Sequence, residues 1–220
     1  MKKYIELLKL CPLFEGLSED NILAVLERFG ASVKAYNKNE YIKLTGDSAE
    51  FIGIVLEGSI QIVQDDYYGN RHITASFKKG DLFAEAFACA GISTLPVDIL
   101  SRENTKIMYI ESHHILKGCN GSCEFHHTLI SNLLKIVSKK NMLLKQKLHY
   151  LSQKTTSKKL MAYLNDQALT NNSSEFTIPY DRQGLADFLG VDRSALSAEI
   201  SKLTKQGILS TKRNWFRLHL

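Results

Sequence analysis

Two groups of residues in this chain have types and spacings that could do chemistry. The first is Arg193, Ser194, Ser197, Ala198 and Lys202, the outward positions of VDRSALSAEISKLTKQ, where no carboxylate appears between Arg193 and Glu199. Small and basic side chains without acids suit a polyanion. An arginine here can pair with both acceptors of a guanine edge, and a serine can reach a base or a phosphate. Arg193 is therefore the expected base reader, with Ser194 and Ser197 beside it and Asp192 at the tip of the same candidate interface. Arg182, Gln183, Lys202, Lys212 and Arg213 are the expected phosphate contacts. The second group is His113, His114, Cys119, Cys123, His126 and His127, six soft or borderline ligands close in sequence. Cys119 and Cys123, four apart, could share a helical face and hold zinc with His126 or His127. The spacing is not that of a C-x-x-C knuckle, and Asn120-Gly121 interrupts a helix, so no metal site is assigned. A redox- or metal-responsive Cys119/Cys123 pair stays as an alternative, beside a helix entrance with no chemistry.

The first group needs a rigid frame, and the sequence provides one. Leu185, Phe188 and Leu189 fall on one helical face, and Ala195, Leu196, Ile200 and Leu203 on another. Asp181 and Asp192 stand where N-caps belong, and Gly190 suits the left-handed residue that ends the first helix. Two short helices joined by so tight a turn are a helix-turn-helix, whose second helix fits a major groove. Downstream, GILSTKRNWFRLHL reads as two strands joined at Lys212-Arg213-Asn214, a basic wing.

Upstream lies a long helix, expected from Glu124 to about Leu151, without Gly or Pro after its start. Ile130, Leu134, Val137, Asn141, Leu144, Leu148 and Leu151 advance alternately by four and three, an a/d seam with Asn141 at an a position. Asparagine there fixes a parallel two-stranded register at some cost in stability, which predicts a homodimer. Leu129, Leu133, Ile136, Met142 and Leu143 are expected to pack on the helix's own domain.

Charge divides the chain the same way. Residues 1–124 hold 13 basic and 17 acidic side chains, whereas 125–151 hold five basic and none acidic, and 152–220 hold 10 against six. The basic C-terminal part is the one expected to meet a polyanion. No apolar run is long enough to span a bilayer, and MKKYIELLKL reads as a helix rather than a signal peptide. Four cysteines without regular spacing predict a reduced, cytoplasmic setting and no disulfide scaffold.

From about Ser32 the period changes to short alternating segments punctuated by Gly, Asn and Asp, seven or eight strands of a β-sandwich or jelly roll, with Gly69-Asn70 as a hairpin turn. Within it, GDLFAEAFACAGISTLPVDIL is a small helical insertion. It reads either as a plug on the open face of the roll or as an effector pocket formed by Phe83, Ala84, Glu85, Ala86, Phe87, Pro96, Val97 and Asp98. A cupin-type enzyme would need several His or Glu ligands on facing strands; His72 is the one histidine there. No catalytic residue is assigned. A protein-interaction module that uses the helix-turn-helix without DNA is the other rival.

PLFEGLS near the start, Gly46-Asp47 through Leu56-Glu57-Gly58, Gly80-Asp81-Leu82-Phe83-Ala84-Glu85, the long helix and GVDRSALSAEISKLTKQGIL occur in one order. Over nearly its whole length the chain resembles the bacterial cyclic-AMP receptor protein/FNR superfamily of transcription regulators. The resemblance implies an α+β chain with an N-terminal double-stranded β-helix (jelly roll) for sensing (1–118), a dimerisation helix (119–151) and a winged helix-turn-helix (152–220). It also implies a homodimer on a two-fold DNA operator, a small-molecule effector, and contact with RNA polymerase if the protein activates. Departures from the pattern concern the signal. Cyclic-nucleotide binders of the family end the insertion in Arg-Ser or Arg-Thr, where this chain has Leu95-Pro96-Val97-Asp98, and Ala84 replaces the usual glycine. Iron–sulfur members carry an N-terminal cysteine cluster, where this chain has Cys11. Cyclic AMP is thus not the expected effector, and the cofactor is unknown. Ser194 and Ala198 replace a Glu and an Arg of the cyclic-AMP receptor pattern, so the operator should differ too.

Overall fold

A computed structural model describes residues 1–65, 71–116 and 125–219. Contacts divide the chain into two units, Met1–Lys139 and Lys140–Leu220. The Gly69-Asn70 turn and the Cys119/Cys123 pair lie outside the described residues.

The first unit begins with helices α1 (Ile5–Lys9) and α2 (Glu19–Arg28). Ser18 caps α2, its hydroxyl accepting from Asn21 N at 3.2 Å, and Glu19 and Asp20 occupy the first turn, where negative charge opposes the helix dipole. Eight strands follow: β1 (Ser32–Tyr36), β2 (Tyr41–Lys43), β3 (Phe51–Glu57), β4 (Ser59–Asp65), β5 (Arg71–Lys78), β6 (Leu82–Phe83), β7 (Asp98–Ser101) and β8 (Thr105–Glu111). They form two antiparallel four-stranded sheets, ordered β1-β8-β3-β6 and β2-β7-β4-β5, the expected roll. Helix α3 (Glu85–Cys89) is the insertion, and α4 (Ser112–Leu116) follows the last strand.

Apolar alternation fills both faces of β3. Ile52, Ile54 and Leu56 join Leu8, Leu13, Phe14, Ile22, Leu26 and Phe29 in one core beneath the N-terminal helices. Phe51 and Val55 point the other way, between the sheets, into a core with Ile60, Phe83, Ile99 and Ile107. There Phe51 meets Phe83 and Tyr109 edge-on at 6.1 and 5.2 Å between ring centroids. Gly53 is what lets the Phe83 ring lie against β3, because a Cβ at that position would overlap the ring.

Helix α5 (His126–Leu151) crosses the division between the units. It starts at His126 rather than Glu124, which lies outside the described residues. In the first unit Leu129 and Leu133 are buried, and buried Asn132 donates through Nδ2 to the carbonyls of Leu13 (3.1 Å) and Glu15 (2.8 Å). In the second unit Tyr150 donates to Asp166 Oδ2 at 2.8 Å. Met142 and Leu143 correct the sequence reading. They are 70% and 56% exposed and do not pack on their own unit.

The second unit adds α6 (Thr156–Asn171), β9 (Glu175–Thr177), α7 (Arg182–Leu189), α8 (Arg193–Lys205), β10 (Leu209–Lys212) and β11 (Trp215–Leu218). The strands form one antiparallel sheet ordered β10-β11-β9. Leu160, Leu164, Leu185, Leu189, Leu196, Leu203 and Phe216 make the core, each large side chain contributing about 1.5–3 kcal/mol by leaving water.

Candidate nucleic-acid interface

The helix-turn-helix is held by short-range contacts at every joint. Asp181 Oδ1 accepts from Gly184 N at 2.7 Å to start α7, and Gly190 ends it at φ +59°. The Lys159 ammonium closes that end, donating to the carbonyls of Leu189 and Gly190 at 3.3 and 3.4 Å. Asp192 Oδ1 then starts α8, accepting from Ser194 N at 2.8 Å and Ala195 N at 3.0 Å, and from the Ser194 hydroxyl. The Ser194 hydroxyl, followed by the Ala195 and Ser194 amides, holds the Asp192 carboxyl below the usual carboxylate range.

On α8, Leu196, Ile200 and Leu203 are buried, whereas Arg193, Ser194, Ser197, Ala198 and Lys202 are exposed. Ala195 is exposed as well, against the expectation that it faces the core, so the accessible face is one residue wider. Lys202 Nζ lies 3.5 Å from Glu199 Oε1, which leaves Arg193 as the cation on this face nearest the helix start.

Arg182 is placed differently from a loose phosphate clamp. It is half-buried, donates through Nη2 to Thr211 Oγ1 at 2.9 Å, and sits over the Phe216 ring at 5.0 Å. Burial lowers its pKa, but a guanidinium stays charged. It thereby ties α7 to the β10–β11 hairpin while keeping one side open. Gln183 is exposed, its amide donating to Asp187 Oδ1 at 2.8 Å.

At the hairpin tip Lys212 pairs with Trp215 across a two-residue loop, Arg213-Asn214. Arg213 holds φ +55°, a left-handed conformation that costs an L residue about 1–2 kcal/mol and that such loops usually give to glycine. Asn214 anchors the tip through Nδ2 to Ile178 O at 3.1 Å. Arg182, Gln183, Arg193 and Arg213 thus line one open groove of about 780 Å³, together with Tyr180 and Asn214. Ser197 opens onto a neighbouring groove with Ser201, Thr204 and Lys205. The sequence assigns no contact to Tyr180 or Lys205, and marks Asn214 only as part of the wing turn. Their signal was position alone: Tyr180 precedes a cap, Asn214 sits in the turn, and Lys205 ends the second helix.

The candidate effector residues sit elsewhere, and most are built into the roll. Phe83, Ala84, Glu85 and Val97 are buried, Phe87 and Asp98 half-buried, and Ala86 and Pro96 exposed. Asp98 Oδ1 accepts from Thr45 N at 2.6 Å and Thr45 Oγ1 at 2.8 Å, so its carboxylate closes a turn. Ala84 adopts φ +64° at the start of α3, the conformation for which a glycine is suited.

Along α5 the seam residues Ile130, Leu134, Leu144 and Leu148 are 40–66% exposed, Asn141 is exposed and Val137 half-buried. Met142 and Leu143 are exposed as well, on other faces of the helix than these seam positions.

The profile of the cyclic nucleotide-binding domain matches residues 33–121, and that of the Crp-like helix-turn-helix domain matches residues 158–219. Together, in this order, they cover more than half of the chain. The chain belongs to the Crp/Fnr family. Its members are transcription regulators rather than enzymes, and the Crp-like part is the DNA-binding one. A search of curated protein sequences finds no match. Among solved structures, the c-di-GMP responsive global regulator CLP of Xanthomonas campestris is 17% identical, with a TM-score of 0.54 over 90% of this chain and 99% of that one. A regulatory protein of Silicibacter pomeroyi DSS-3 is 21% identical (TM-score 0.53, 100% and 95% covered), and DNR of Pseudomonas aeruginosa is 16% identical (TM-score 0.53, 100% and 95% covered). At such identities the likeness is one of fold. Among the described residues no helix is long and apolar enough to cross a membrane.

Proposed function

We propose that this Crp/Fnr-family chain works in the cytoplasm as a homodimer that reads a pseudo-palindromic operator, under control of an effector other than cyclic AMP. The observation that carries the reading is the convergence of Arg182, Arg193 and Arg213 on one groove at the start of α8. That helix face is free of carboxylates up to Glu199. Arg193 reads a guanine, Ser194 and Ser197 reach a base edge or phosphate, and Ala195 and Ala198 let the helix lie close. Arg182, Gln183, Lys202, Lys212 and Arg213 hold phosphates, and Asp192 fixes the tip that presents them.

The a/d seam of α5 supports the dimer, since an exposed apolar strip on a regulator marks a partner surface. A second copy sets two recognition helices roughly 34 Å apart, one DNA turn. Residues 1–118 then sense, 119–151 pair and 152–220 bind DNA. A change in the roll shifts the balance between two dimer states through the long helix. An activating role would add a contact with RNA polymerase.

The case against cyclic AMP rests on Val97 and Asp98. A buried valine stands where the phosphate-binding arginine belongs in the family pattern, and the neighbouring carboxylate is bonded into a turn. Titration of cyclic AMP into the full-length protein should give no saturable heat; a micromolar isotherm overturns this part. For the DNA reading, the protein should select a roughly 20-base-pair inverted repeat with affinity that falls steeply with salt. Arg193→Ala should cost about 1–3 kcal/mol of preference for that repeat over random DNA. An unchanged specificity ratio removes Arg193 from base reading.

A further inference from the structure

Where the roll ends, three ligating side chains meet. Glu111 is the last residue of β8, and His113 and His114 lie in α4 directly after it. Their ligand atoms all lie within 4.8 Å of one another. Glu111 Oε2 is 3.4 Å from His114 Nε2 and 3.6 Å from His113 Nδ1. A tetrahedral metal with bonds of about 2.0–2.2 Å to nitrogen and oxygen holds its ligand atoms roughly 3.3–3.5 Å apart. One carboxylate oxygen therefore already stands at metal-ligand spacing from two imidazoles.

The position of the rings fits the same use. His114 stacks on Phe29, with centroids 5.8 Å apart and planes 8° from parallel, and Phe29 is buried. That contact fixes the direction of one ligand in advance, as supporting residues do in metal sites. His113 packs beside it at 3.9 Å between centroids. Glu111 and His113 are exposed, so water can complete the coordination. Two imidazoles and one carboxylate are the donor set of zinc and of ferrous iron, whereas calcium and magnesium take oxygen ligands.

We propose that Glu111 Oε2, His113 Nδ1 and His114 Nε2 form a binding site for a borderline divalent transition-metal ion, zinc or ferrous iron. The site clamps the end of β8 to α4. Phe29, which His114 stacks upon, also meets His126, the first residue of α5, edge-on at 6.3 Å. Metal occupancy therefore bears, through one ring, on the start of the helix that carries the seam. We assign it a regulatory role on DNA binding, a part that rests on the DNA-binding reading above; the site itself does not.

The test uses the full-length protein stripped with a chelator. Zinc is titrated in competition with a chromophoric chelator, ferrous iron is titrated without oxygen, and cobalt serves as the spectroscopic probe. One equivalent of zinc or iron should bind. Glu111→Gln and His113→Ala, both at exposed positions, should each weaken binding at least tenfold to a hundredfold, the loss that even supporting residues produce. Cys119→Ser/Cys123→Ser should leave binding unchanged, and the cobalt spectrum should show ligand-field bands without thiolate charge transfer. Absence of stoichiometric uptake overturns the site. So does uptake that survives both ligand variants and disappears in the cysteine variant. Affinity for the inverted repeat, measured with and without zinc, should change in the wild type and not in His113→Ala. DNA binding that ignores zinc in the wild type overturns the regulatory role. Zinc binding without any DNA binding overturns the DNA reading and that role together while supporting the site.

Discussion

Along α8 the side chains suited to chemistry stand in water on a helix whose ends are pinned, whereas in the roll most residues in the equivalent role are part of the packing. Arg193, Ser197 and Lys202 have no work in the core of their unit; Leu196, Ile200 and Leu203 do that. In the roll Phe83 is itself core, pressed on Gly53 between the sheets, and Asp98 is spent on Thr45. DNA is a large external ligand of fixed shape, so its reader keeps an exposed face that can change residue by residue without touching stability. A sensor that encloses its ligand has no such separation. Phe83 packs against Phe51 and Phe77, so a change in this interior also changes its stability, and specificity and stability become one problem.

The largest expected effect tests that coupling. Phe83→Ala should cost the roll about 3–5 kcal/mol, because the ring is wholly buried and leaves a cavity. The single tryptophan, Trp215, lies in β11 and reports on the other unit. Its thermal transition should stay in place while the circular-dichroism transition of the roll moves down. Transitions that move together would mean that the units unfold as one, and the contrast fails. Next in size is the seam. Leu134→Lys with Leu144→Lys should give monomers in sedimentation and lower affinity for the inverted repeat by roughly a hundredfold or more, the loss of one of two linked contacts.

A smaller change separates function from stability within the DNA-reading unit. Arg213→Gly should lower the salt dependence of DNA binding by about one unit of slope while raising stability by about 1 kcal/mol, read from salt titrations and denaturant curves. A loss of stability instead would show that the arginine serves the fold. The smallest effect concerns Asp192. Its carboxyl titrates below its unfolded value, so the charge adds stability above a pH of about 3.9, and that contribution disappears as pH falls through the lowered folded value. Asp192→Asn should keep the cap and remove this acid limb from stability measured against pH.

What was legible in the sequence was local. Asp181, Gly190 and Asp192 announce the helix-turn-helix because caps and a left-handed residue act within one turn of chain. The strands of the roll were readable from alternation. Ala195, Met142 and Leu143 were misplaced because periodicity shows which residues share a face and not how far the neighbouring element covers it. Ties across long stretches of chain left no mark in the pattern. Arg182 meets Thr211 and Phe216, and Phe83 meets Gly53, only once the sheets have formed. Glu111 was passed over beside His113 and His114 because a carboxylate at a strand end is unremarkable until the following helix turns back on it.

The middle of α5 has a further consequence. From Lys139 to His149 every residue except Lys140 and Gln146 is exposed. Gln146 Nε2 donates to Asp166 at 3.2 Å and Lys147 sits over the Phe188 ring at 5.4 Å, so these three turns lean on polar contacts rather than on a buried apolar face. A helical stretch of that length is marginal in water by itself. In a dimer built on this seam, the partner copy supplies what the stretch lacks, and mass action enters: the fraction of ordered, paired helix rises with the amount of protein present. In such a dimer the chain's own abundance would set how many molecules are competent to bind DNA.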